Sequence, residues 1–359
     1  MKSAVAVPTF AYVGCFTTEK RKARGKGISG YRIDPQSGAW HLVQVCATPD
    51  NPGFLALGRD DRFLYAAHGS SREISAYSID APTGKLTLLN TQPSGGNNAP
   101  HLTVDPAGRY VLLANGPGIA VFPINKDGSL APASDLVVPP GEPGPYRDEQ
   151  NGPHPHQVIF DPTGRFIIAP DKGLDKVLVY KLDLASGKLV ANDPAFVKAR
   201  YGAVPRHVVI HPTAPYAYVV NELGSAVAVY HWDANRGELK PLQLVPTTPT
   251  THTSKNTGAE IAIAPSGNFI YASNRGHDSI VTFAVDQKTG MLEPTGWESS
   301  RGKRPRFFAL DAGGTRLYVA NQDSDTIVAF SVEPETGKLT YTGLVAETGT
   351  PTCIVFTCR

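Results

Sequence analysis

One sequence unit recurs seven times along this 359-residue chain, and no other feature limits the possible folds so severely. Three copies are close: "GRFIIAPDKGLDKVLVYKLDLASGKL" from Gly164, "GNFIYASNRGHDSIVTFAVDQKTGML" from Gly267 and "GTRLYVANQDSDTIVAFSVEPETGKL" from Gly314. More divergent copies read "DRFLYAAHGSSREISAYSIDAPTGKL", "GRYVLLANGPGIAVFPINKDGSL" and "APYAYVVNELGSAVAVYHWDANRGEL", and "FAYVGCFTTEKRKARGKGISGYRIDPQSGAW" opens the chain. Each ends in a hairpin-type turn at Gly38, Gly84, Gly128, Gly187, Gly237, Gly290 or Gly337, spaced 44 to 59 residues apart. A period of this length means a solenoid or a propeller, and the pattern inside the unit decides between them.

Inside each unit the pattern is that of four strands. A short apolar run ends in a turn such as "FDPTG" or "LDAGG", and a second run rich in Tyr, Val, Ile and Ala ends in a polar pair. A third alternates apolar and polar residues toward the glycine turn, and a fourth follows Lys-Leu. No 3.6-residue periodicity appears, which excludes a helical solenoid. With 35 glycines and 31 prolines supplying the turns, the expectation is an all-β, seven-bladed β-propeller with four antiparallel strands per blade. After Gly337 the chain adds a fourth strand and then "TPTCIVFTC", a first strand with no second strand behind it. The N-terminus begins with a second-type strand, so one blade is predicted to be closed by both termini, removing two sheet edges. Residues 1–359 then form a single domain.

In a propeller the first strands line a central channel, and their starts share a face with the ends of the second strands. Aligning the units places Gly53, Pro100, His156, Arg206, Ala259, Arg306 and Thr352 at the channel mouth. His101, Gln157, His207 and Glu260 lie one residue further in. Second-strand ends add His68, Asn115, Asp171, Asn221–Glu222, Asn274–Arg275 and Asn321–Gln322. Framework positions should repeat, whereas this mouth position diverges from blade to blade. Charges gathered there from different blades are costly unless paired or used.

The longest interval between turns holds "PPGEPGPYRDEQNGPHPHQ", which joins a fourth strand to the next first strand and therefore overlies the mouth. Its prolines, at 139, 140, 143, 145, 153 and 155, predict a shaped lid. The basic loop "EKRKARGKG" from Glu19 should rim the same face, either as a solvated hairpin or as a guide for an anionic substrate. Gly25-Lys-Gly27-Ile-Ser-Gly30 fits a dinucleotide-binding pattern but opens no helix, so no such cofactor is expected. There is no G-x-S-x-G elbow and no cysteine beside an obvious base. His154 and His156 form an H-x-H pair, but no matching third ligand stands out, and no metal is expected.

A formal net charge of +2 gives no reason to expect nucleic acid or an acidic membrane as partner. Residues Met1–Phe10 lack the apolar core of a secretory leader, and no apolar run approaches the roughly 20 residues needed to span a bilayer. Four cysteines (Cys15, Cys46, Cys353, Cys358) have no CxxC spacing, and a cytoplasmic protein is expected.

The strings "PHPHQVIFDPTGRF", "PRHVVIHP", "NELGSAVAVY", "AEIAIAPSGNFIYASNRGHDSI" and "PRFFALDAGGTRLYVANQDSDTIVAF" resemble the seven-bladed lactonase family over essentially the whole chain. That family includes propeller-type 6-phosphogluconolactonases and the fungal 3-carboxy-cis,cis-muconate lactonizing enzyme. The resemblance implies lactone chemistry and a site of one His, two Arg and one Glu at the channel mouth. Arg206, Glu222 and Arg275 match its motifs; His154 and His156 both match its histidine, and the repeat alignment favours His156. The second unit departs from the pattern, with a shortened loop after Asn115.

The expected function is hydrolysis of a sugar-acid lactone, 6-phosphogluconolactone or a related aldono- or aldarolactone. His156, Arg206, Glu222 and Arg275 are the candidate catalytic residues. His101, His154, His207, Asn221, Glu260, Asn274, Arg306 and Gln322 are candidates for binding an anionic substrate. Either Glu222 or His156 could activate water; arginines beside Glu222 should lower its pKa, which favours His156 as base. The arginines would hold the oxyanion and the acidic group of the substrate. A carboxymuconate-lactonizing cycloisomerase suits several arginines equally well, and a non-catalytic interaction scaffold is the reading outside enzymology.

Overall fold

A computed structural model describes residues 8–358. The leader expectation at Met1–Phe10 falls mostly on residues 1–7, which lie outside the described residues. The described chain forms seven four-stranded antiparallel sheets arranged in a ring. Blade 1 contains Pro351–Thr357, Phe10–Cys15, Ile28–Ile33 and Trp40–Cys46 in that spatial order, so both ends of the chain build it. Gly14 pairs with Cys353 and Phe10 with Thr357, and the Thr9 N–H donates to the Thr357 carbonyl at 2.8 Å. The remaining blades follow in order: blade 2 over residues 52–93, blade 3 over 97–137, blade 4 over 159–198, blade 5 over 205–246, blade 6 over 257–299 and blade 7 over 305–347.

The core lies between blades rather than inside one body. Among the described residues there are seven apolar clusters, each shared by two adjacent blades. The second strand of a blade is therefore covered on both faces; Phe10–Cys15 and Tyr216–Asn221 are buried along their whole length. Outer strands such as Trp40–Cys46 are exposed or half-buried between their buried ends. This is why second strands read as continuous runs of β-branched and aromatic residues, and outer strands do not.

A tyrosine on the second strand ties neighbouring blades. Its hydroxyl donates to the carbonyl of the next blade's turn glycine: Tyr12 to Gly84, Tyr65 to Gly128 and Tyr271 to Gly337, at 2.8, 3.1 and 3.0 Å. All seven turn glycines have positive φ. At Gly290 the need is double, because φ is +71° and a Cβ would meet the Tyr216 ring at 2.3 Å.

Blade 4 is the irregular one. Its innermost strand is reduced to Ile159–Phe160, preceded by a single bridge between Pro155 and Asp171. Proline at 153 and 155 removes ladder donors there. The chain still holds its place because the His156 N–H donates to the Pro170 carbonyl at 2.9 Å.

Candidate active site

The axial channel is plugged partway by aromatic rings. Phe54 stacks on His101 with ring centroids 4.1 Å apart and meets Phe307 edge-on at 5.8 Å. Above this floor, at the starts of the first strands, lies a cavity of about 290 Å³. Of the twelve sequence-predicted residues, His154, His156, Arg206, His207, Glu222, Glu260, Arg275 and Arg306 line it. His101 sits beneath, against Phe54. Asn221, Asn274 and Gln322 lie outside the lining.

Glu222 clamps two arginines from different blades. Its Oε1 accepts from Arg275 Nη2 at 2.8 Å, and its Oε2 lies 3.7 Å from Arg206 Nε. Arg275 also donates to the Gly258 carbonyl, and Arg206 Nη1 to the Ala259 carbonyl. Burial opposes ionisation of Glu222, but Arg275, Lys172 and Arg206 outweigh it and hold its carboxyl well below the usual carboxylate range. Burial and the neighbouring Arg275 bring Arg206 down to about 10, so it remains charged at neutral pH.

A second pair sits deeper, where His207 Nδ1 and Glu260 Oε1 are 2.8 Å apart. Burial pushes the Glu260 carboxyl up to about 8, against the pull of Arg206. His207 is driven well below its ordinary value by burial and by Arg206 and Arg306. Near neutrality, a neutral carboxyl therefore faces a neutral imidazole. His156, its ring 5.2 Å from that of His207, is likewise held neutral by burial and by Arg206. His154 falls to about 4, through burial and Lys172. Its position is set by Asp171, whose Oδ1 accepts the backbone N–H groups of His154, Gly173 and Leu174.

Several buried polar atoms of this cluster have no hydrogen-bond partner among the described residues: His154 Nε2, His156 Nδ1, His207 Nε2, Arg206 Nε, Arg275 Nε and Glu260 Oε2. Such atoms are rare in folded proteins and concentrate where a ligand completes them. Among the described residues there is no group of three His, Cys, Asp or Glu side chains placed to hold a metal ion.

The lid forms as its prolines predict. The Gln150 side chain donates to the Lys172 carbonyl at 2.9 Å, Gly144 N–H to the Gly173 carbonyl at 2.9 Å, and Glu149 pairs with Lys172 at 3.0 Å. Glu149 and Lys172 thereby enter the cavity wall, although neither was singled out in the sequence. Arg304 and Phe16 were also missed. Arg21, from the basic loop, lines the cavity, whereas Arg24 turns away to pair with Asp325.

The model of the family described as lactonase, 7-bladed β-propeller, matches residues 10–356. The chain belongs to the seven-bladed β-propeller lactonase family. Among its relatives, a 6-phosphogluconolactonase of Bacillus subtilis is 34% identical over 305 residues, covering 84% of each chain. Another protein of that name, from Formosa agariphila, is 33% identical over 84% of this chain and 86% of its own. The solved periplasmic gluconolactonase of Pseudomonas aeruginosa superposes with a TM-score of 0.89 at 31% identity, covering 98% of this chain and 99% of that one. The family assignment agrees with the resemblance drawn from the repeat strings. Because one family member is periplasmic, membership does not by itself place this chain in the cytoplasm. No helix among the described residues is long and apolar enough to cross a membrane.

Proposed function

We propose that this protein hydrolyses a sugar-acid lactone, with 6-phosphogluconolactone as its substrate, in the cavity at the channel mouth. The observation that carries this reading is the Arg206–Glu222–Arg275 clamp beside neutral histidines, with unpartnered donors on both arginines. The relatives' names support ring opening over the ring-closing direction.

The ester carbonyl lies against the guanidiniums of Arg206 and Arg275, whose charge stabilises the oxyanion as the tetrahedral centre forms. Glu222 stays ionised and keeps both guanidiniums in register; surrounded by cations, it is too weak a base to deprotonate water. His156 takes the proton from the attacking water. The C–O ring bond breaks, the same proton goes to the departing ring oxygen, and the product acid ionises to a carboxylate. An anionic substrate offsets the cations around His156 and raises its basicity toward the operating pH. The absence of a nearby nucleophilic serine or cysteine from the cavity lining fits direct attack by water. A cytoplasmic location suits a phosphorylated substrate and the four unpaired cysteines.

The test is lactone turnover above the buffer rate, measured with 6-phosphogluconolactone and with the unphosphorylated lactone. Arg206→Ala and Arg275→Ala should each lose about 100- to 1000-fold in kcat, the cost of one oxyanion donor. His156→Asn should lower kcat more than His154→Asn does, and the opposite order moves the base to His154. Near-normal turnover in both arginine variants would sink the assignment.

A further inference from the structure

Two cations in the cavity stand apart from the clamp. Phe16 lies at the end of the blade 1 second strand, and its ring is flanked by two guanidiniums, with Arg21 Cζ 4.2 Å and Arg306 Cζ 5.1 Å from the centroid. The two charges are therefore within about 9 Å of each other, Arg306 coming from blade 7 and Arg21 reaching from the blade 1 loop toward Ser70 and Asn98 of blades 2 and 3.

We propose that Arg21, Phe16 and Arg306 form a subsite for the phosphate dianion of a phosphorylated sugar-acid lactone, separate from the groups that act on the ring ester. The proposal deepens the lactonase reading and rests on it for the chemistry at the other end of the ligand.

Charge pairing selects these residues. Arg206 and Arg275 share Glu222, Lys172 has Glu149, and Arg304 lies 3.9 Å from Asp323. Arg21 and Arg306 have no carboxylate partner among the described residues. Two uncompensated charges match the charge of roughly −2 on a phosphate monoester and exceed that of one carboxylate. Burial lowers Arg21, and burial with Arg206 and Arg275 lowers Arg306, so both sit where an anion would relieve a real cost.

Arg21 is also preorganised. Its Nε donates to Ser70 Oγ at 2.7 Å and one Nη2–H to Asn98 Oδ1 at 2.8 Å, both neutral acceptors that fix the plane without cancelling the charge. The remaining guanidinium N–H groups are left for a ligand, in the fork geometry that suits phosphate. The Phe16 ring keeps its place because residue 53 is glycine: a Cβ there would press on the ring at 2.9 Å. Arg21 comes from the loop after a second strand, so the binding of the phosphate end is encoded apart from the blade motifs that carry the clamp.

The test uses product-side ligands, so it reads out whether or not turnover is found. Calorimetry compares 6-phosphogluconate, glucarate and gluconate on the wild type, Arg21→Gln and Lys20→Gln, the last removing an exposed charge of the same loop. The expectation is that 6-phosphogluconate binds at least tenfold tighter than the other two. Arg21→Gln should cost the phosphorylated ligand about tenfold to a hundredfold, as expected for a lost charge-assisted contact, while Lys20→Gln leaves the ranking in place. Arg21→Lys, which keeps the charge without the clamped plane, should fall between. Equal affinity of 6-phosphogluconate and gluconate overturns the subsite. Glucarate matching 6-phosphogluconate overturns the phosphate assignment in favour of a carboxylate, and parallel losses in Lys20→Gln reduce the effect to general attraction. Absence of lactone turnover alongside the expected binding pattern would instead sink the hydrolase reading and leave the subsite standing.

Discussion

Glu222 has more depending on it than any other side chain of the site, because its one carboxylate is shared by two arginines that are both about nine-tenths or more buried. Glu222→Gln keeps the shape but leaves two buried cations facing each other, and losing one partner of such a group costs about 3 kcal/mol. Denaturant unfolding should show that loss, accompanied by a fall in kcat/KM. Glu260 behaves in the opposite way. Its pKa rises on folding from 4.5 to about 8, so the fold retains a proton that the unfolded chain releases. The stability this provides is complete below about pH 4.5 and drains away as pH climbs to about 8. Glu260→Gln removes the titration while His207, Arg206 and Arg306 remain, so the variant should gain in melting temperature relative to the wild type across that window. A gap that stays constant with pH would exclude a raised Glu260. At this scale the site was half legible. Arg206, Glu222 and Arg275 break the repeat, and breaks in a repeat point to function. Asn274 misled by position: its Nδ2 donates to the Thr247 carbonyl, as Asn321 does to Ser300 and Asn115 to Ser94. An asparagine repeated at second-strand ends thus braces the loop arriving from the preceding blade. Arg21 was foreseen only as one of the cations of a basic loop at the mouth, and Lys172 not at all, because side-chain direction there depends on loop paths that the repeat pattern does not encode.

At the scale of elements, the lid was legible in its prolines and its contacts were not. Residues 139–155 contain few apolar groups to bury, so polar ties to residues 172–173 must hold the segment in place. Gln150 is the central one: fully buried, it donates to Lys172 and accepts from the Tyr146 N–H at 3.2 Å. Gln150→Ala should raise KM more than it lowers kcat, since the lid supplies cavity wall but none of the clamp. Hydrogen exchange should rise over residues 141–153, and the melting temperature should move little, because the blade clusters are untouched. The tyrosine ties between blades act differently. Tyr271→Phe leaves the Gly337 carbonyl without its 3.0 Å partner in a buried interface and should cost about 1 kcal/mol of global stability with no change in KM. Opposite signatures from the two variants would separate an element that shapes the site from one that holds the ring.

The whole molecule was the most legible level. A ring of like blades needs only local signals repeated: a positive-φ glycine at each hairpin, an apolar second strand, and a first strand left over at one end to meet a gap at the other. Those signals survive sequence divergence because every blade interface imposes the same packing. Closure is the one long-range demand, met where Pro351–Thr357 pairs with Phe10–Cys15. Without that strand, Phe10–Cys15 would present an open edge to the axial channel, and the Cys353 and Ile354 side chains would leave the two core clusters that join blade 1 to blades 2 and 7. Truncation after Glu347 should therefore abolish cooperative unfolding, far beyond the loss of a few terminal residues. The ring itself requires closure and not closure by these particular ends. A permutant that joins the original termini through a short linker and opens the exposed hairpin between Glu335 and Thr336 should restore a single thermal transition by circular dichroism. It should also keep lactone turnover, because the hairpins lie at the rim and none of their residues lines the cavity. If the permutant fails to fold while the native chain folds, strand pairing between the two ends has a role in forming the propeller beyond closing it.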